Sequence, residues 1–354
     1  MQINYIVKPI LSWYQSEKRT LPFRCIDDPY KIWLSEIMLQ QTQVKTVVPY
    51  YNRWIKRFPS IQSVAVADLG VVLKMWEGLG YYTRCRNFHT AAKIVVKKFN
   101  GIIPNDWEKF YSLPGVGDYT AAAVLSIAFN KPYAVIDGNA KRVMSRILGI
   151  KNLTSRNLSR IHQTLSNIIP EHTPGDFNQS IMELGATLCT ARSPSCNKCP
   201  VSFGCKAFKT NKPCCYPKPS AKKIKPHYTI VVGIIWRGNT FFIQRRSEKS
   251  MLGGLWEFPG GKVKQGELLE VALKREIKEE CGVFPSIKKR IGAVDHAYSH
   301  FSITFHGYHC KESGEKINEV DYSAWITPDQ IDQYPFPKAN HKLFKIIKEQ
   351  GWYV

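Results

Sequence analysis

The stretch Leu113-Pro-Gly-Val-Gly-Asp-Tyr-Thr120 stands directly before an alanine-rich run and is the most informative segment of this 354-residue sequence. Leu-Pro followed by two glycines predicts a tight turn, and the alanines after it predict a helix. Glycines just before a helix expose backbone N–H groups at its positive end, which suits a phosphate of nucleic acid. The segment therefore predicts a turn between two helices, with Gly115 and Gly117 as candidate DNA-binding residues.

Helical patterns extend on both sides of this turn. Asp28-Pro29 predicts a helix start, with the aspartate as its cap and the proline at its first position. Trp33, Ile37, Val44 and Val48 recur at spacings of four and seven, which predicts one buried stripe on a long helix. Because strand patterns are lacking here, we expect an all-α domain with further helices at 64–76, 86–98, 117–129, 139–148, 156–168 and 176–188.

The pattern changes after residues 211–226, which hold four prolines and no apolar periodicity. This composition predicts a stiff, extended linker. Beyond it, 227–236 and 240–246 are β-rich, and Arg237-Gly238-Asn239 between them predicts a hairpin. A helix near 267–281 and strands near 289–296 and 301–309 follow. The expected domains are 1–210 (all-α), 211–226 (linker) and 227–354 (α+β).

The sequence is strongly basic, with 50 Lys and Arg against 28 Asp and Glu and a formal net charge of +22. Residues 1–210 carry +14 of this charge and residues 211–226 carry +5, whereas residues 227–354 carry only +3. A polyanion is therefore the expected partner of the helical part and the linker. A basic protein without such a partner is the alternative that charge alone leaves open.

The composition also excludes several classes of protein. With 44% hydrophobic and 12% aromatic residues, the chain is neither disordered nor collagen-like. No apolar run reaches the ~18 residues of a membrane span, so we expect no membrane partner. The first residues lack the pattern of a secretory signal, which predicts a soluble, intracellular protein. In a reducing compartment, ten cysteines favour metal binding over disulfides.

Four of the cysteines form a compact group with the spacing C-x6-C-x2-C-x5-C: Cys189, Cys196, Cys199 and Cys205. Four soft thiolates within 17 residues suit zinc or an iron–sulfur cluster. Zinc sites commonly use two C-x2-C pairs or include histidine, and this group has one pair and no nearby histidine. A [4Fe–4S] cluster, whose iron corners lie far apart, fits the long intervening loops better.

A further segment, Val135-Ile-Asp-Gly-Asn-Ala-Lys-Arg-Val143, places Asp137 at the entry to a predicted helix. An aspartate at this position is usually an N-cap. Taken alone, the segment favours a capping role, and a chemical role for Asp137 is the alternative.

The glycine turn, the aspartate segment and the cysteine group together resemble the endonuclease III-like helix–hairpin–helix superfamily of DNA glycosylases, and within it the adenine DNA glycosylases. The resemblance covers nearly the whole chain and includes three further stretches: Leu21-Pro-Phe-Arg24, Asp28–Thr42 and Trp76–Arg84. It implies removal of adenine mispaired with 8-oxoguanine or guanine in double-stranded DNA. It also implies a monomer that works in the cytoplasm at the nucleoid.

By this resemblance, Glu36 is the acid that protonates the departing adenine, because adenine leaves a sugar poorly as an anion. Asp137 stabilises the oxocarbenium-like sugar or captures it covalently, as the second carboxylate of a retaining glycosidase does. Asn139 and Tyr119 are expected to orient Asp137 and the sugar. A solvated helix glutamate is the alternative for Glu36.

The resemblance also assigns DNA contacts. Neither carboxylate can reach a stacked base, so base flipping must come first. Gln41 and Tyr81 match residues that wedge into the duplex, although ordinary packing is the alternative for both, and Arg24 is a further DNA-binding candidate. Relatives that cut the strand carry a lysine where this chain has Tyr119, and the missing amine nucleophile predicts a monofunctional enzyme that leaves an abasic site.

The last third of the chain carries a full Nudix pattern, Gly261-x5-Glu267-x7-Arg275-Glu-Ile-Lys-Glu-Glu-Cys-Gly-Val283. Glu276, Glu279 and Glu280 fall at i, i+3 and i+4 on one helix face, an arrangement of hard ligands that suits Mg²⁺ bridging a diphosphate. A solvated face of Glu and Lys pairs is the alternative. The expected fold class is therefore multidomain, an all-α helix–hairpin–helix glycosylase domain with an iron–sulfur cluster loop followed by an α+β Nudix-like domain.

Adenine DNA glycosylases carry a Nudix-like domain that recognises 8-oxoguanine, and its box is usually degenerate. This chain departs from the family by keeping the box whole, which raises the hypothesis of Mg²⁺-dependent hydrolysis of a nucleotide such as 8-oxo-dGTP. Tyr298-Ser299-His300 stands where the family has Phe-Ser-His. Since tyrosine keeps the stacking ring, Ser299 and His300 are candidate 8-oxoguanine contacts.

Two other classes of function compete with a DNA-repair enzyme. One is a nucleotide-pool Nudix hydrolase with a DNA-binding appendage, for which Glu36 would be dispensable. The other is a non-enzymatic, cluster-bearing DNA-binding protein, which would tolerate loss of both Glu36 and Asp137.

Overall fold

The computed structural model describes residues 3–219, 224–248, 250–312, 314, 316–317, 319 and 322–352. Residues 220–223 of the predicted linker lie outside the described residues. The chain forms two compact units. The first comprises Met1–Val66 and Asn87–Ala221, and the second comprises Ala67–Arg86 and Lys222–Val354. The second unit thus includes a short segment from the helical half of the sequence.

The first unit is built from helices, and the strands among the described residues all belong to the second unit. Its helices are α1 (Val7–Glu17), α2 (Pro29–Leu39), α3 (Val44–Arg57), α4 (Ile61–Val66), α7 (Trp107–Tyr111), α8 (Asp118–Phe129), α9 (Gly138–Leu148), α10 (Ser155–Ile168), α11 (Pro174–Thr187) and α12 (Lys206–Lys209). Helix α5 (Leu69–Trp76) lies in the second unit, and α6 (Tyr82–Phe99) begins in the second unit and continues into the first.

Local sequence signals explain where several of these helices begin. The Asp28 side chain accepts hydrogen bonds from the N–H groups of Tyr30 and Lys31, so the predicted cap of α2 is confirmed. The predicted glycine turn connects α7 to α8, and Gly117 is the N-cap residue of α8. Asp137 caps α9 by accepting the Ala140 N–H at 2.6 Å.

The predicted long helix that would join Trp33 to Val48 is wrong. Helix α2 ends at Leu39 and α3 begins at Val44. Gln41 between them has a φ of 58°, a left-handed conformation that cannot continue a right-handed helix. The predicted helix 64–76 is also divided, because α4 ends at Val66 and Asp68 caps α5.

Aromatic side chains fill the middle of the first unit. Trp33 is fully buried and meets Phe88 and Phe110 edge to face, with ring centroids 4.9 and 5.1 Å apart. Such pairs add about 0.5–1.5 kcal/mol each beyond the burial of their apolar area. Because Trp33 lies on α2, this packing fixes the helix that also carries Glu36.

The second unit contains a seven-stranded sheet with the main order β3-β2-β1-β6-β5, in which β4 also pairs with β1 and β7 with β2. Strand β1 runs parallel to β6 and antiparallel to β2, which confirms the predicted hairpin at Gly238-Asn239. The strands are β1 (His227–Arg237), β2 (Thr240–Arg245), β3 (Trp256–Glu257), β4 (Gly260–Lys262), β5 (Ser286–Ala297), β6 (Ser302–Lys311) and β7 (Ser323–Ile326).

One helix covers each face of this sheet. Helix α13 (Leu269–Cys281) packs on Val231 and Ile235 of β1, whereas α14 (Lys338–Gln350) packs on the intervening Val232 and Ile234. This alternation follows from the two-residue period of a strand. Strand β1 therefore presents apolar side chains to both helices.

Residues 67–86 are anchored in the second unit by polar contacts. Glu77 accepts hydrogen bonds from the Phe336 N–H at 2.7 Å and from His341 Nε2 at 2.8 Å. Lys74 donates to the Tyr334 carbonyl at 3.0 Å. Among the described residues, no helix is long and apolar enough to cross a membrane.

Candidate active site and nucleic-acid interface

The two predicted catalytic carboxylates, Glu36 and Asp137, border the same cavity in the first unit. The cavity has a volume of about 480 Å³ and lies among α2, α8, α9 and α11. Fourteen residues line it: Arg19, Arg24, Glu36, Leu39, Thr42, Gln43, Val44, Lys45, Tyr119, Asp137, Asn139, Met182, Glu183 and Ala186. The structure thus brings together the four predicted catalytic residues, Glu36, Tyr119, Asp137 and Asn139, although Glu36 and Asn139 are 103 positions apart.

Glu36 is buried on α2, with only 3% of its surface exposed. Burial raises its pKa above the ordinary value, and the nearby Asp137 carboxylate adds to the rise, while Arg24 and the Tyr119 hydroxyl oppose it. Desolvation favours the neutral form of a carboxyl group. The position therefore favours a glutamic acid that keeps its proton.

Tyr119 lies in the first turn of α8 and donates its hydroxyl hydrogen bond to Glu36 Oε2. Burial and the adjacent Glu36 carboxyl raise the pKa of this phenol well above its ordinary value. The hydroxyl therefore stays protonated and acts as a fixed donor. Tyr119 was predicted to orient Asp137 and the sugar, whereas its direct partner in the structure is Glu36.

Asp137 uses its two carboxylate oxygens differently. Oδ1 accepts the Ala140 N–H at the start of α9, and Oδ2 accepts the Asn139 side-chain amide at 2.8 Å. Asp137 therefore caps α9 and also lines the cavity. These two donors hold the two oxygens in fixed directions.

Arg142 continues this network away from the cavity. Its Nη2 donates to Asn139 Oδ1 at 2.8 Å and to the Gly185 carbonyl at 2.6 Å. Its Nε donates to the Cys189 carbonyl at 2.9 Å. The residue that positions Asp137 is thus held by an arginine that also contacts the first cysteine of the predicted cluster group.

Sequence reasoning missed a second polar pair in the wall of the cavity. Arg19 Nη2 donates to Glu183 Oε2 at 2.9 Å, and Glu183 is almost completely buried on α11. Arg24, predicted to bind DNA, donates to the Gln179 side chain. Because 164 positions separate Arg19 from Glu183, no local pattern could have paired them. Arg142, by contrast, stands three residues after Asn139, a helical spacing that the sequence does show.

The glycine turn has the geometry that its residues predict. Gly115 has a φ of 79°, and a Cβ there would come within 2.7 Å of the Asn87 side chain. Gly117 is exposed, and a Cβ there would meet no atom within 4 Å. Gly115 is therefore required by the turn, whereas open space at Gly117 leaves its backbone accessible to a ligand.

The two predicted wedge residues share an unusual backbone conformation. Gln41 has a φ of 58° and Tyr81 a φ of 51°, both in the left-handed region that residues other than glycine seldom adopt. Such strain is concentrated at functional sites. Gln41 is exposed in the first unit, and Tyr81 lies in the second unit, where its hydroxyl is hydrogen-bonded to Ser299 Oγ.

The predicted lesion-reading residues lie in the turn between β5 and β6. Ser299 and His300 are exposed at its tip. Tyr298 packs its ring against Phe301 at 4.9 Å and His296 at 4.6 Å. The packed tyrosine ring therefore stabilises the turn, and the two polar residues after it are exposed.

The four grouped cysteines line one small cavity of the first unit together with Arg146, which donates to Cys189 Sγ at 3.2 Å. These cysteines and the residues between them form the cluster loop, Cys189–Cys205. Among the described residues, no group of three or more His, Cys, Asp or Glu side chains is arranged to hold a single metal ion. Soft sulfur donors around a shared cavity fit a cluster, whose metal corners are separate from one another.

The Nudix pattern folds as a tightly bonded strand–loop–helix segment. Arg275 donates to both carboxylate oxygens of Glu267 at 2.8 Å and to Glu276 at 2.7 Å. Glu280 accepts the Gly260 N–H at 2.9 Å. The Glu279 side chain is 57% exposed. As they are positioned, Glu267, Glu276 and Glu280 are hydrogen-bonded to groups of their own chain.

Two family models match this chain. A family model described as "HhH-GPD superfamily base excision DNA repair protein" matches residues 34–170, and a model described as "NUDIX domain" matches residues 231–345. These matches, with the helical and sheet-containing units, confirm the expected fold class.

Among curated proteins, the chain is similar to the adenine DNA glycosylase of Buchnera aphidicola subsp. Baizongia pistaciae, with 40% identity over 76% of this chain and 77% of that protein. It is 34% identical to the Mus musculus adenine DNA glycosylase over 96% of this chain and 77% of that protein. It is 32% identical to the Homo sapiens adenine DNA glycosylase over 96% of this chain and 73% of that protein.

Among solved structures, the chain resembles a thermostable thymine-DNA glycosylase with a TM-score of 0.54 and 28% identity, over 58% of this chain and 96% of that chain. It also shares the fold of a trapped endonuclease III–DNA covalent intermediate, with a TM-score of 0.52 and 24% identity, over 59% of this chain and 97% of that chain. The curated relatives confirm the resemblance inferred from the sequence, and these structures share the fold of the helical part.

Proposed function

The chain belongs to the adenine DNA glycosylase family, and we propose that it hydrolyses the N-glycosidic bond of adenine mispaired with 8-oxoguanine or guanine. It is an enzyme of base excision repair that acts on double-stranded DNA. The observation that carries the proposal is that Glu36 and Asp137 border one cavity but have opposite surroundings. Glu36 is buried against the Tyr119 hydroxyl, whereas Asp137 accepts two N–H donors, so the two acids can take different roles in one reaction.

Glu36 is the general acid in this proposal. Its buried position holds the proton that the leaving adenine needs, and Tyr119 fixes the orientation of the carboxyl group. Protonation converts the base into a neutral leaving group. The raised pKa of Glu36 supports this role at neutral pH.

Asp137 is the anion that faces the developing positive charge on the sugar. Asn139 and the Ala140 N–H hold its two oxygens in fixed directions, so little reorganisation is needed as the charge develops. The carboxylate either stabilises the oxocarbenium-like sugar or forms a covalent bond to it before water attacks.

The enzyme is proposed to be monofunctional. Strand cleavage through a Schiff base needs an amine nucleophile, and Tyr119 occupies the position where strand-cutting relatives carry lysine. The product is then an abasic site with an intact DNA backbone.

Candidate duplex-binding residues are proposed in each unit separately. The exposed Gly117 backbone and Gly115 contact a phosphate at the positive end of α8, and Arg24 adds positive charge at the cavity. Gln41 and Tyr81 enter the base stack while adenine is flipped out, and their strained backbones support that role. Ser299 and His300 contact 8-oxoguanine, with Tyr298 as their aromatic support.

Cys189, Cys196, Cys199 and Cys205 are proposed to hold a [4Fe–4S] cluster. Convergence of the four residues on one cavity supports this assignment, as does the Arg146 guanidinium beside Cys189. A bound cluster would supply a covalent clamp for the cluster loop. Because the substrate is chromosomal DNA, we place the enzyme in the cytoplasm at the nucleoid, where it works as a monomer.

The decisive experiment incubates the full chain with a duplex that contains adenine opposite 8-oxoguanine, with and without alkali. Strand cleavage only after alkali is the expected result. Cleavage without alkali would overturn the monofunctional assignment, and no abasic site at all would overturn the glycosylase assignment. Asp137→Asn, which keeps the size of the side chain, is expected to leave the adenine in place.

A second candidate activity is hydrolysis of a nucleotide such as 8-oxo-dGTP by the Nudix-like domain. The same activity would be the main function if the chain were a nucleotide-pool hydrolase. The complete Nudix pattern and the intact pair between Arg275 and Glu267 favour it. Glu276, Glu279 and Glu280 would then have to leave their present partners to serve Mg²⁺. Pyrophosphate or phosphate release by the full chain, compared with Glu279→Gln, tests this activity, and equal release by both proteins would eliminate it.

A further inference from the structure

The turn between α5 and α6 contains three residues with left-handed backbone. Gly78 and Gly80 have φ values of 89° and 79°, which suit glycine. Tyr81 follows with a φ of 51°, although it carries a side chain. A strained conformation of this kind persists only when the surrounding structure fixes it. The contacts around Tyr81 therefore show what holds this residue in place.

Arg84 donates hydrogen bonds to the carbonyl groups on both sides of the Tyr81 α-carbon. Its Nη2 donates to the Gly80 carbonyl at 3.1 Å, and its Nε makes a longer bond of 3.5 Å to the Tyr81 carbonyl. The Gly80 carbonyl belongs to the peptide plane that sets φ of Tyr81, and the Tyr81 carbonyl belongs to the plane that sets ψ. One guanidinium thus restrains both backbone angles of this residue.

Trp76 restrains the same peptide plane before Tyr81. Its indole Nε1 donates to the Gly80 carbonyl at 3.0 Å, and the side chain is fully buried on α5. The Gly80 carbonyl therefore accepts two donors, one from α5 and one from α6. Rotation of this peptide plane would break these bonds, and a buried donor that loses its partner destabilises the fold.

The same guanidinium also contacts the Tyr81 ring. The Arg84 Cζ atom lies 5.2 Å from the ring centroid of Tyr81 and 5.3 Å from that of Trp76, distances at which a cation is attracted to an aromatic face. Burial lowers the pKa of Arg84 to about 10, so the group remains charged at neutral pH. Arg84 thus connects a buried indole to a tyrosine ring that is partly exposed.

We propose that Arg84 is a positioning residue that holds Tyr81 in the conformation in which its ring enters the base stack. The inference rests on the proposed role of Tyr81 as a wedge and adds the residue that aims it. Arg84 acts through Tyr81 and touches neither the adenine nor a reacting atom. The Tyr81 hydroxyl is hydrogen-bonded to Ser299 Oγ, so the side chain is restrained at both ends.

A double-mutant cycle tests the proposal through the single-turnover rate of adenine release from a duplex with adenine opposite 8-oxoguanine. The full-length proteins are the wild type, Arg84→Met, Tyr81→Leu and the variant with both substitutions. Arg84→Met should lower the rate about tenfold, because a misplaced group raises the barrier to the reacting geometry. In the Tyr81→Leu background the same substitution should change the rate by less than about twofold, because no ring is left to position.

The control is Lys98→Met, which removes one exposed positive charge from the same helix and should retain the wild-type rate. An equal loss in Lys98→Met and Arg84→Met would overturn the proposal, because the effect would then be one of charge. Equal losses from Arg84→Met in the two backgrounds would overturn it as well. A wild-type rate in Tyr81→Leu would instead overturn the wedge role itself, so the two failures are distinguishable.

Fluorescence of 2-aminopurine next to 8-oxoguanine gives a readout that does not depend on catalysis. The duplex carries an adenosine whose sugar is fluorinated and resists cleavage, and entry of the Tyr81 ring should change the stacking of the probe. Arg84→Met should lose this change as Tyr81→Leu does. Arg84→Lys, which keeps the cation but lacks the planar fork, should retain part of it and serves if Arg84→Met does not fold. A full wild-type change in both Arg84 variants would contradict the positioning role.

Discussion

The carboxylates of the two units look alike in the sequence but differ in their surroundings. Glu36 is buried in the first unit, and its direct partner is a neutral phenol. In the second unit, Glu267 and Glu276 are bound by the guanidinium of Arg275. Burial keeps the pKa of Glu36 raised despite the nearby Arg24, so this acid is available for proton transfer, whereas an acid hydrogen-bonded directly to arginine stabilises the fold.

The largest expected effect is on the rate of adenine release by Glu36→Gln. This variant keeps the shape of the side chain but removes the transferable proton, so the single-turnover rate should fall by about 10²–10⁴-fold. The measurement is alkali-revealed cleavage of a duplex with adenine opposite 8-oxoguanine. Glu279→Gln in the second unit is the matched control and should retain the wild-type rate. Equal losses of rate in both variants would contradict the proposed difference between the acids of the two units.

Asn139→Ala should have the next largest effect, because Asp137 Oδ2 loses the amide that orients it. We expect about a 10²-fold slower adenine release, a cost typical of a misplaced catalytic group. Duplex affinity, measured by fluorescence anisotropy, should be unchanged. Asn157→Ala, which removes an exposed hydrogen bond to the Asn152 carbonyl, is the control. A parallel loss of affinity and rate would mean that Asn139 serves binding instead.

The pH dependence of the rate tests the protonation state of Glu36. Its pKa is raised, and the acid form is the active one, so the rate should fall as pH rises through that pKa. The fall should be about tenfold per pH unit. The Tyr119 hydrogen bond lowers the pKa of Glu36, so Tyr119→Phe should move the falling limb to higher pH. A shift to lower pH would contradict the assignment.

Glu77→Gln tests a carboxylate that is expected to stabilise the fold of the second unit. Burial alone would raise its pKa, but hydrogen bonds from His341, Lys74 and the Phe336 N–H lower it overall. Its stabilisation is therefore present above the ordinary glutamate pKa and is lost as pH falls through the lowered value. At pH 7 the substitution should cost about 1–2 kcal/mol in the urea unfolding of the second unit. The difference should shrink on acidification, and a constant difference would refute the linkage.

Glu36→Gln should have the opposite effect on stability. The folded pKa of Glu36 lies above its unfolded value, so the contribution of this residue falls as pH rises through the folded pKa. Replacing it with a neutral amide should raise the free energy of unfolding at pH 8 by about 0.5–2 kcal/mol. The gain should disappear near pH 4. A variant less stable than the wild type at pH 8 would indicate that interactions of Glu36 in the folded protein fully offset the cost of burying its charge.

Elements with local chemical signals could be predicted from the sequence. The cap at Asp28, the glycine turn before α8 and the hairpin at Gly238-Asn239 each depend on residues within a few positions of one another. The break at Gln41 could not be predicted, because the apolar spacing from Trp33 continues across it and only the backbone conformation reveals it.

The same distinction applies to the candidate site. Asp137 and Asn139 are two positions apart, and their hydrogen bond follows from one segment. The pairing of Tyr119 with Glu36 and of Arg19 with Glu183 depends on tertiary packing across many residues. The resemblance identified which acids to consider, but their surroundings required the fold.

Residues 67–86 have a consequence for how the chain is made. Glu77 and its partners Phe336 and His341 are about 260 positions apart. At roughly 5–20 residues per second, the segment leaves the ribosome about 10–50 s before its partners exist. During that time the apolar residues of α5, including Leu73, lack their final neighbours in the second unit. If the chain is truncated in the proline-rich linker, α5 never acquires these neighbours. The helical half expressed alone should therefore need a chaperone or a polar substitution on the apolar surface of α5.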